Sequence, residues 1–107
     1  MNPQAARPAG PNPLALSIVI PTYMRDQVLW DSVRAIGPQL GEGDELLVID
    51  QNVPPLEAPP DLSADWLRLL HLDRPSLTRA RNLGLAEARR DRVVFLDDDI
   101  VPDPDRR

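Results

Sequence analysis

The feature that most constrains this chain is an apolar run ending in three carboxylates: Val93, Val94, Phe95 and Leu96, followed at once by Asp97, Asp98 and Asp99. The run is short for a helix and rich in β-branched and aromatic side chains, so it predicts a strand buried on both faces, the pattern of a parallel sheet with a layer on either side. The acidic triplet then sits where that strand ends. Two carboxylates about 4 Å apart repel by roughly 4 kcal/mol at an effective dielectric near 20, so a third needs a cation, a proton or open solvent. A solvated loop meets that need without any function. A divalent ion meets it with one, since magnesium and manganese take carboxylate oxygens and share their other positions with water and substrate phosphates.

A chain of 107 residues is one small domain or a piece of a larger one, and its hydrophobic fraction of 42% permits a core. The formal net charge of -5 argues against a general nucleic-acid binder or a polybasic membrane anchor. All twelve basic residues are arginine, the better fork for phosphate and carboxylate. Cysteine is absent, so the chemistry must come from oxygen and nitrogen groups. No run approaches the roughly 18 apolar residues of a membrane span, and the N-terminus lacks the apolar core of a signal peptide. The expected location is cytoplasmic.

Residues 1–13 carry Pro3, Pro8, Pro11 and Pro13 with Gly10 and few large apolar groups, which predicts a disordered tail ahead of a domain over 14–107. A first strand is expected over Leu14 to Ile20, strongest from Ser17, with Pro21 stopping it. Asp26 is expected to cap a helix over Gln27 to Ile36, on which Leu29, Val33 and Ile36 recur at helical spacing. Glu45 to Ile49 predicts a second buried strand ending at Asp50. A proline-rich loop follows over 51–65, with a helical turn near its end, then a short third strand within Trp66 to Leu72. Ser76 is expected to cap a helix from Leu77 to Arg90, with Ala80, Leu83, Ala86 and Ala88 as its packing side and Arg89, Arg90 and Arg92 around its end. Gly84 costs about 1 kcal/mol relative to alanine inside a helix, which suggests close approach by another element.

Strands alternating with helices predict an α/β fold, a Rossmann-like parallel sheet with right-handed crossovers and flanking helices. The expected strand order is 3-2-1-4, in which the first and fourth strands are neighbours and their connections leave in opposite directions. Ligands collect at such a switch point. The loop Pro21-Thr-Tyr-Met-Arg25, Asp50 and the acidic triplet are thereby brought to one rim.

Four stretches carry a family resemblance: Ser17-Ile-Val-Ile-Pro-Thr-Tyr-Met-Arg25, Leu47-Val-Ile-Asp50, Thr78-Arg-Ala-Arg-Asn-Leu-Gly84 and Val94-Phe-Leu-Asp-Asp-Asp99. Each is weak alone, and together, in this order, they resemble the N-terminal, nucleotide-sugar-binding half of a family 2 glycosyltransferase with the GT-A fold. The resemblance implies a nucleotide-diphospho-sugar donor, a manganese or magnesium ion and inverting transfer to an acceptor hydroxyl. It further implies that Pro21, Thr22, Tyr23, Arg25, Asp50, Arg81, Asp97 and Asp98 bind the nucleotide. Thr22 and Tyr23 lie against the base, Asp50 accepts from the base edge, and Arg81 lies near the nucleotide. The triplet is the family's DXD-type motif, with Asp97 or Asp98 near the ribose and Asp99 as the metal ligand.

The residue types suit those roles. An aspartate ending a buried strand can accept from a ring N–H or ribose hydroxyls, and can equally cap the loop that follows. Tyr23 offers a flat face and a hydroxyl. Arg79 and Arg81 alternate on one helix, so at most one is expected to face a ligand. His71 reads as structural. Gln51 and Asn52 stand where many members have an acidic or small residue followed by glycine and serine, and Met24 replaces the asparagine common before the arginine. The chain ends at Arg107, before the point where such enzymes place an acceptor-binding half and a catalytic base, so the expectation is a partial domain inactive by itself. The outer edge of the fourth strand lacks a partner, which predicts self-association.

Two other readings remain at this point. A magnesium-dependent phosphoryl-transfer or phosphatase-like domain also gathers carboxylates at parallel strand ends, although there is no lysine here to serve as its cationic partner. A non-catalytic nucleotide-sugar-binding or interaction module is the other. A dinucleotide-binding domain fits poorly, because the first strand does not lead into a G-x-G-x-x-G turn.

Overall fold

The computed structural model describes residues 14–62 and 64–99. The proposed tail over 1–13 and the segment after Asp99 lie outside the described residues. Chain order is β1 (Leu16–Thr22), α1 (Asp26–Ile36), β2 (Glu45–Asp50), β3 (Leu67–His71), α2 (Leu77–Glu87) and β4 (Arg92–Phe95), with short 3-10 turns at Gly37–Gln39 and Pro60–Leu62. The four strands form one sheet in the order β3-β2-β1-β4, and every pairing is parallel. The α/β class is therefore as the alternation of elements predicts, and the 3-2-1-4 order is the one expected as commonest for such a half-sheet.

Side-chain alternation along β1 and β2 divides the core into two layers. Ile18, Ile20, Leu46 and Val48 face α1, packing with Leu29, Trp30, Val33 and Ile36. Val19, Leu47 and Ile49 face the other way and pack with Ala80 of α2. Burial on both faces is why these strands read as unbroken apolar runs. No described helix is long and apolar enough to cross a membrane.

Several expectations need correction. β1 runs through Pro21 to Thr22, with Pro21 opposite Ile49 and Thr22 opposite Asp50. The Val19 carbonyl accepts from Leu96 N–H at 3.0 Å, so the main chain at Val19, and two residues later at Pro21, faces the β4 side. Pairing with β4 ends at Val19, so the N–H that proline lacks is not missed. Asp26 is the first residue of α1, not its cap; it lies in the first turn, where negative charge suits the helix dipole, and Arg25 occupies the cap position without a side-chain bond.

β4 is not buried on both faces: Val94 and Phe95 are each 37% exposed. It pairs with β1 alone, at the edge of the sheet, where Val93 and the following Leu96 still pack partly against the two core clusters. Its composition is that of a central strand, and its setting is that of an edge.

α2 begins as expected, with Ser76 Oγ accepting from Arg79 N–H, but it stops at Glu87 instead of Arg90. A long-range cluster takes over the chain there. Arg68 of β3 donates to the Glu87 carbonyl at 2.7 Å and to the Glu87 carboxylate at 2.8 Å. Arg89 N–H turns to Glu45 Oε2, Arg90 N–H to Ser17 Oγ, and the Arg90 side chain to the Gly43 carbonyl. Arg90 thus staples the sheet's N-terminal edge, and the buried side of α2 is Ala80 and Gly84, with Ala86 exposed.

Glu45 is the hub of that cluster. Burial pushes its carboxyl upward, but the hydrogen bonds from Ser17 and Arg89 and the charge of Arg68 together outweigh burial and hold it below the ordinary carboxylate range. A folded-state value below the unfolded one, about 4.3, contributes stability above that pH and loses it as pH falls through the folded value. Glu45→Gln is expected to cost about 1–3 kcal/mol at neutral pH, because one acceptor becomes a donor beside Ser17 and Arg89 N–H. The same variant should show a shallower loss of thermal stability between neutrality and acid, read from melting curves across pH.

Gly84 confirms the close approach that its place in a helix suggests: a Cβ there would meet Val19 Cγ1 at 2.5 Å. Val19 is fully buried, so it has little room to yield. Gly84→Ala is expected to destabilise by about 1–3 kcal/mol through overpacking, despite alanine's better helix propensity. Pairing it with Val19→Ala should recover part of that loss in urea unfolding.

Candidate functional site

β1 and β4 lie side by side and point the same way, so the residues leaving their carboxyl ends meet. Thr22 Oγ1 donates to Asp98 Oδ2 at 2.9 Å, and Ser32 of α1 donates to the Asp98 carbonyl at 2.8 Å. Both contacts are buried, and they fix the acidic turn to β1 and α1. Asp98 is thus the tether of the triplet, while Asp97 and Asp99 are exposed. Arg25 leans over the turn, with Nη1 at 3.2 Å from Asp99 Oδ2 and 3.5 Å from Asp98 Oδ1. A cavity of about 360 Å³ opens there, lined by Pro21, Arg25, Leu77 and Asp97 to Asp99.

No three acidic or histidine side chains among the described residues converge as a ready metal cage. The donor set still fits a hard divalent ion of the kind that keeps several waters, binds one or two carboxylates and takes the rest of its shell from a substrate phosphate. Asp99 is about half exposed and offers oxygen only, and a cation, the Arg25 guanidinium, already stands against it.

Asp50 ends β2 at the same level as Thr22 and is fully buried. Sequence reasoning gives it a base edge to accept from; here its oxygens are engaged within the chain. Oδ1 accepts from Asn52 N–H at 2.9 Å and from Asn52 Nδ2 at 2.7 Å, and Oδ2 accepts from Leu56 N–H at 2.7 Å. His71 Nδ1 stands 3.5 Å from Oδ2. Asn52 Oδ1 in turn accepts from Met24 N–H at 2.7 Å. A relay from Asp50 through Asn52 therefore holds the loop that presents Tyr23 and Arg25.

Met24 adopts φ 56°, the left-handed region, and is among the most exposed apolar side chains. Asparagine tolerates that conformation several-fold better than methionine. Met24→Asn is expected to stabilise by about 0.5–1 kcal/mol by relieving that strain without losing a core contact, seen as a higher urea midpoint at unchanged slope.

Tyr23 is exposed on the same loop. Arg81 lies one turn beyond Leu77 on α2, with its guanidinium 5.9 Å from the Phe95 ring centre, a cation–π distance. Arg79 points elsewhere, 4.0 Å from Asp73. Of the expected residues, Pro21, Thr22, Arg25 and Asp97 to Asp99 come together directly. Tyr23 joins them through the loop, Asp50 stands opposite Thr22 on the neighbouring strand, and Arg81 stands against Phe95 outside the cavity lining.

Sequence reasoning passed over Ser32, and it met Gln51 and Asn52 only as departures from the family pattern. Ser32 had a readable signal, a polar residue inside the apolar stripe of α1, where burial demands a partner. Gln51 links the two halves of the rim: its N–H donates to the Thr22 carbonyl, and its Oε1 accepts from Ser76 N–H at the start of α2.

The model of the family described as Glycosyl transferase family 2 matches residues 17–107. No curated protein matches the chain.

Proposed function

This chain belongs to glycosyl transferase family 2, and on that premise we propose that the crevice between β1 and β4 holds a nucleotide-diphospho-sugar and a divalent metal for inverting transfer to an acceptor hydroxyl. The observation that carries this reading is the Thr22–Asp98 bond, which joins the loop of one strand end to the acidic turn of its neighbour over an open cavity. That placement is the one where parallel α/β sheets collect ligands. A cavity of about 360 Å³ falls at the lower end of the roughly 300–1,000 Å³ typical of ligand pockets.

Each residue has a task in this reading. Tyr23 presents its ring to the base, Pro21 lines the cavity, and buried Thr22 fixes the acidic turn beside it. Asp97, exposed beside the cavity, accepts from ribose hydroxyls. Arg25 and Arg81 bring positive charge toward the diphosphate. Asp50 acts through the loop, since its oxygens hold Asn52 and Leu56. Asp99 is the metal's carboxylate; the ion, when bound, supplies electrostatic stabilisation of the departing diphosphate. An acceptor hydroxyl must also lose a proton. Asp98 is buried under Thr22 and Asp99 faces Arg25, so we place the general base outside the described rim.

Calorimetric titration of the folded chain with uridine, guanosine, cytidine, adenosine and thymidine diphosphates, each with and without manganese, tests the reading. One-to-one binding of at least one nucleotide, tighter with manganese, is expected. No binding of any of them defeats it.

A further inference from the structure

Arg25 stands where a metal would have to act. Its Nη1 contacts Asp99 Oδ2 and lies within ion-pair distance of Asp98 Oδ1, and no other described cation pairs with the triplet. Guanidinium and divalent ion would therefore compete for the same oxygen. The fork of Arg25 also matches a diphosphate, which can take it in exchange for a carboxylate. The backbone beside it is held, because Met24 N–H is bonded to Asn52 and Leu29 N–H closes the first turn of α1 onto the Arg25 carbonyl. The side chain is 55% exposed and can swing without disturbing the core.

We infer that Arg25 is an exchangeable counter-cation: without donor it neutralises the acidic turn and opposes metal at Asp99, and a nucleoside diphosphate draws it away, so nucleotide and metal bind with positive coupling. The inference rests on the donor reading above and adds a device that sets the order of loading. Repulsion within the triplet favours a cation at the turn, beside the solvent that reaches Asp97 and Asp99. An arginine provides one that need not leave the protein. Because coupling is reciprocal, metal must raise nucleotide affinity by the same factor as nucleotide raises metal affinity.

The test titrates manganese alone, followed by the paramagnetic resonance of the unbound ion, into the wild-type chain, Arg25→Gln, Arg25→Lys and the double variant Arg25→Gln/Asp99→Asn, with circular dichroism confirming the fold of each. Arg25→Gln should take up one manganese about tenfold more tightly than wild type, within the span of known coupling factors, roughly 5–150-fold. Arg25→Lys, which keeps the charge, should stay near wild type, and the double variant should lose the gain. Repeating the titration with the best-binding nucleoside diphosphate present should show a large affinity gain in wild type and a much smaller one in Arg25→Gln. Equal or weaker manganese uptake by Arg25→Gln, uptake by no variant, or a gain that survives loss of Asp99 overturns the inference. The first titration contains no nucleotide. A chain that binds nucleotide yet shows equal manganese affinities defeats only this inference, whereas one that binds no nucleotide defeats the donor reading.

Discussion

Asp50→Ala is expected to cost about 3 kcal/mol of folding stability, a large part of what a domain of this size has in total. Three donors, Asn52 N–H, Asn52 Nδ2 and Leu56 N–H, lose their acceptor at once. A partly buried N–H left without a partner costs about 1–3 kcal/mol, and water can reach some of these groups, which keeps the sum below three full penalties. The change also reaches the site. With Asn52 released, Met24 N–H loses its anchor, and the strained loop carrying Tyr23 and Arg25 can relax out of its left-handed turn. Urea unfolding should therefore give a lower midpoint, and nucleotide affinity should fall together with stability. Asp50→Asn separates the roles: it keeps one acceptor oxygen but sets an NH2 against the remaining donors, so its loss should be partial. Wild-type stability in Asp50→Ala would mean that the carboxylate is not the organiser of this loop.

Much of the fold was legible because β1 and β2 are apolar on both faces, the pattern of strands in a sandwiched parallel sheet. The parallel sheet followed from the alternation of strands and helices, and its order from the commonest arrangement of such half-sheets. Gly84 announced its own contact, as a residue that weakens a helix unless something needs the space.

What was illegible depended on partners distant in the chain. Whether Pro21 ends a strand turns on which neighbour its missing N–H would face, and that neighbour is β4, more than seventy residues away. α2 ends early because Arg68, Glu45 and Ser17 capture the following backbone groups. Local propensity over 77–90 contains none of those three. The apolar run of β4 announces a strand but not its neighbours, so an edge could not be told from a centre. At the site, topology brought the triplet and the β1 loop to one rim, yet it could not choose among carboxylates. Asp98 became a buried tether because Thr22 and Ser32 reach it, while Asp97 and Asp99 stayed exposed and Asp99 alone of those two met Arg25.

That division makes Asp99→Asn the most informative single change to the site. An amide keeps the shape of the side chain and can still accept from Arg25, so the fold should be unaltered, as expected for an exposed group at a strand end. It removes the negative charge that a hard divalent ion requires. Replacing a group that merely orients a metal ligand typically costs about 10–100-fold in metal affinity, and replacing the ligand itself should cost at least that much. Nucleotide binding should then be nearly the same with and without manganese, at the level of the metal-free wild type. Asp98→Asn should behave differently. It leaves Thr22 Oγ1 without its charged acceptor and, if the amide turns, opposes donor to donor in a buried contact, so its first effect is on stability. Calorimetry on the two variants beside their unfolding curves resolves the pair: loss of metal dependence with an intact midpoint for Asp99, loss of midpoint for Asp98. Were both to lose metal dependence equally at wild-type stability, the ion would sit between them and Asp98 would be a ligand too; retention of metal dependence in Asp99→Asn would remove Asp99 from the metal site altogether.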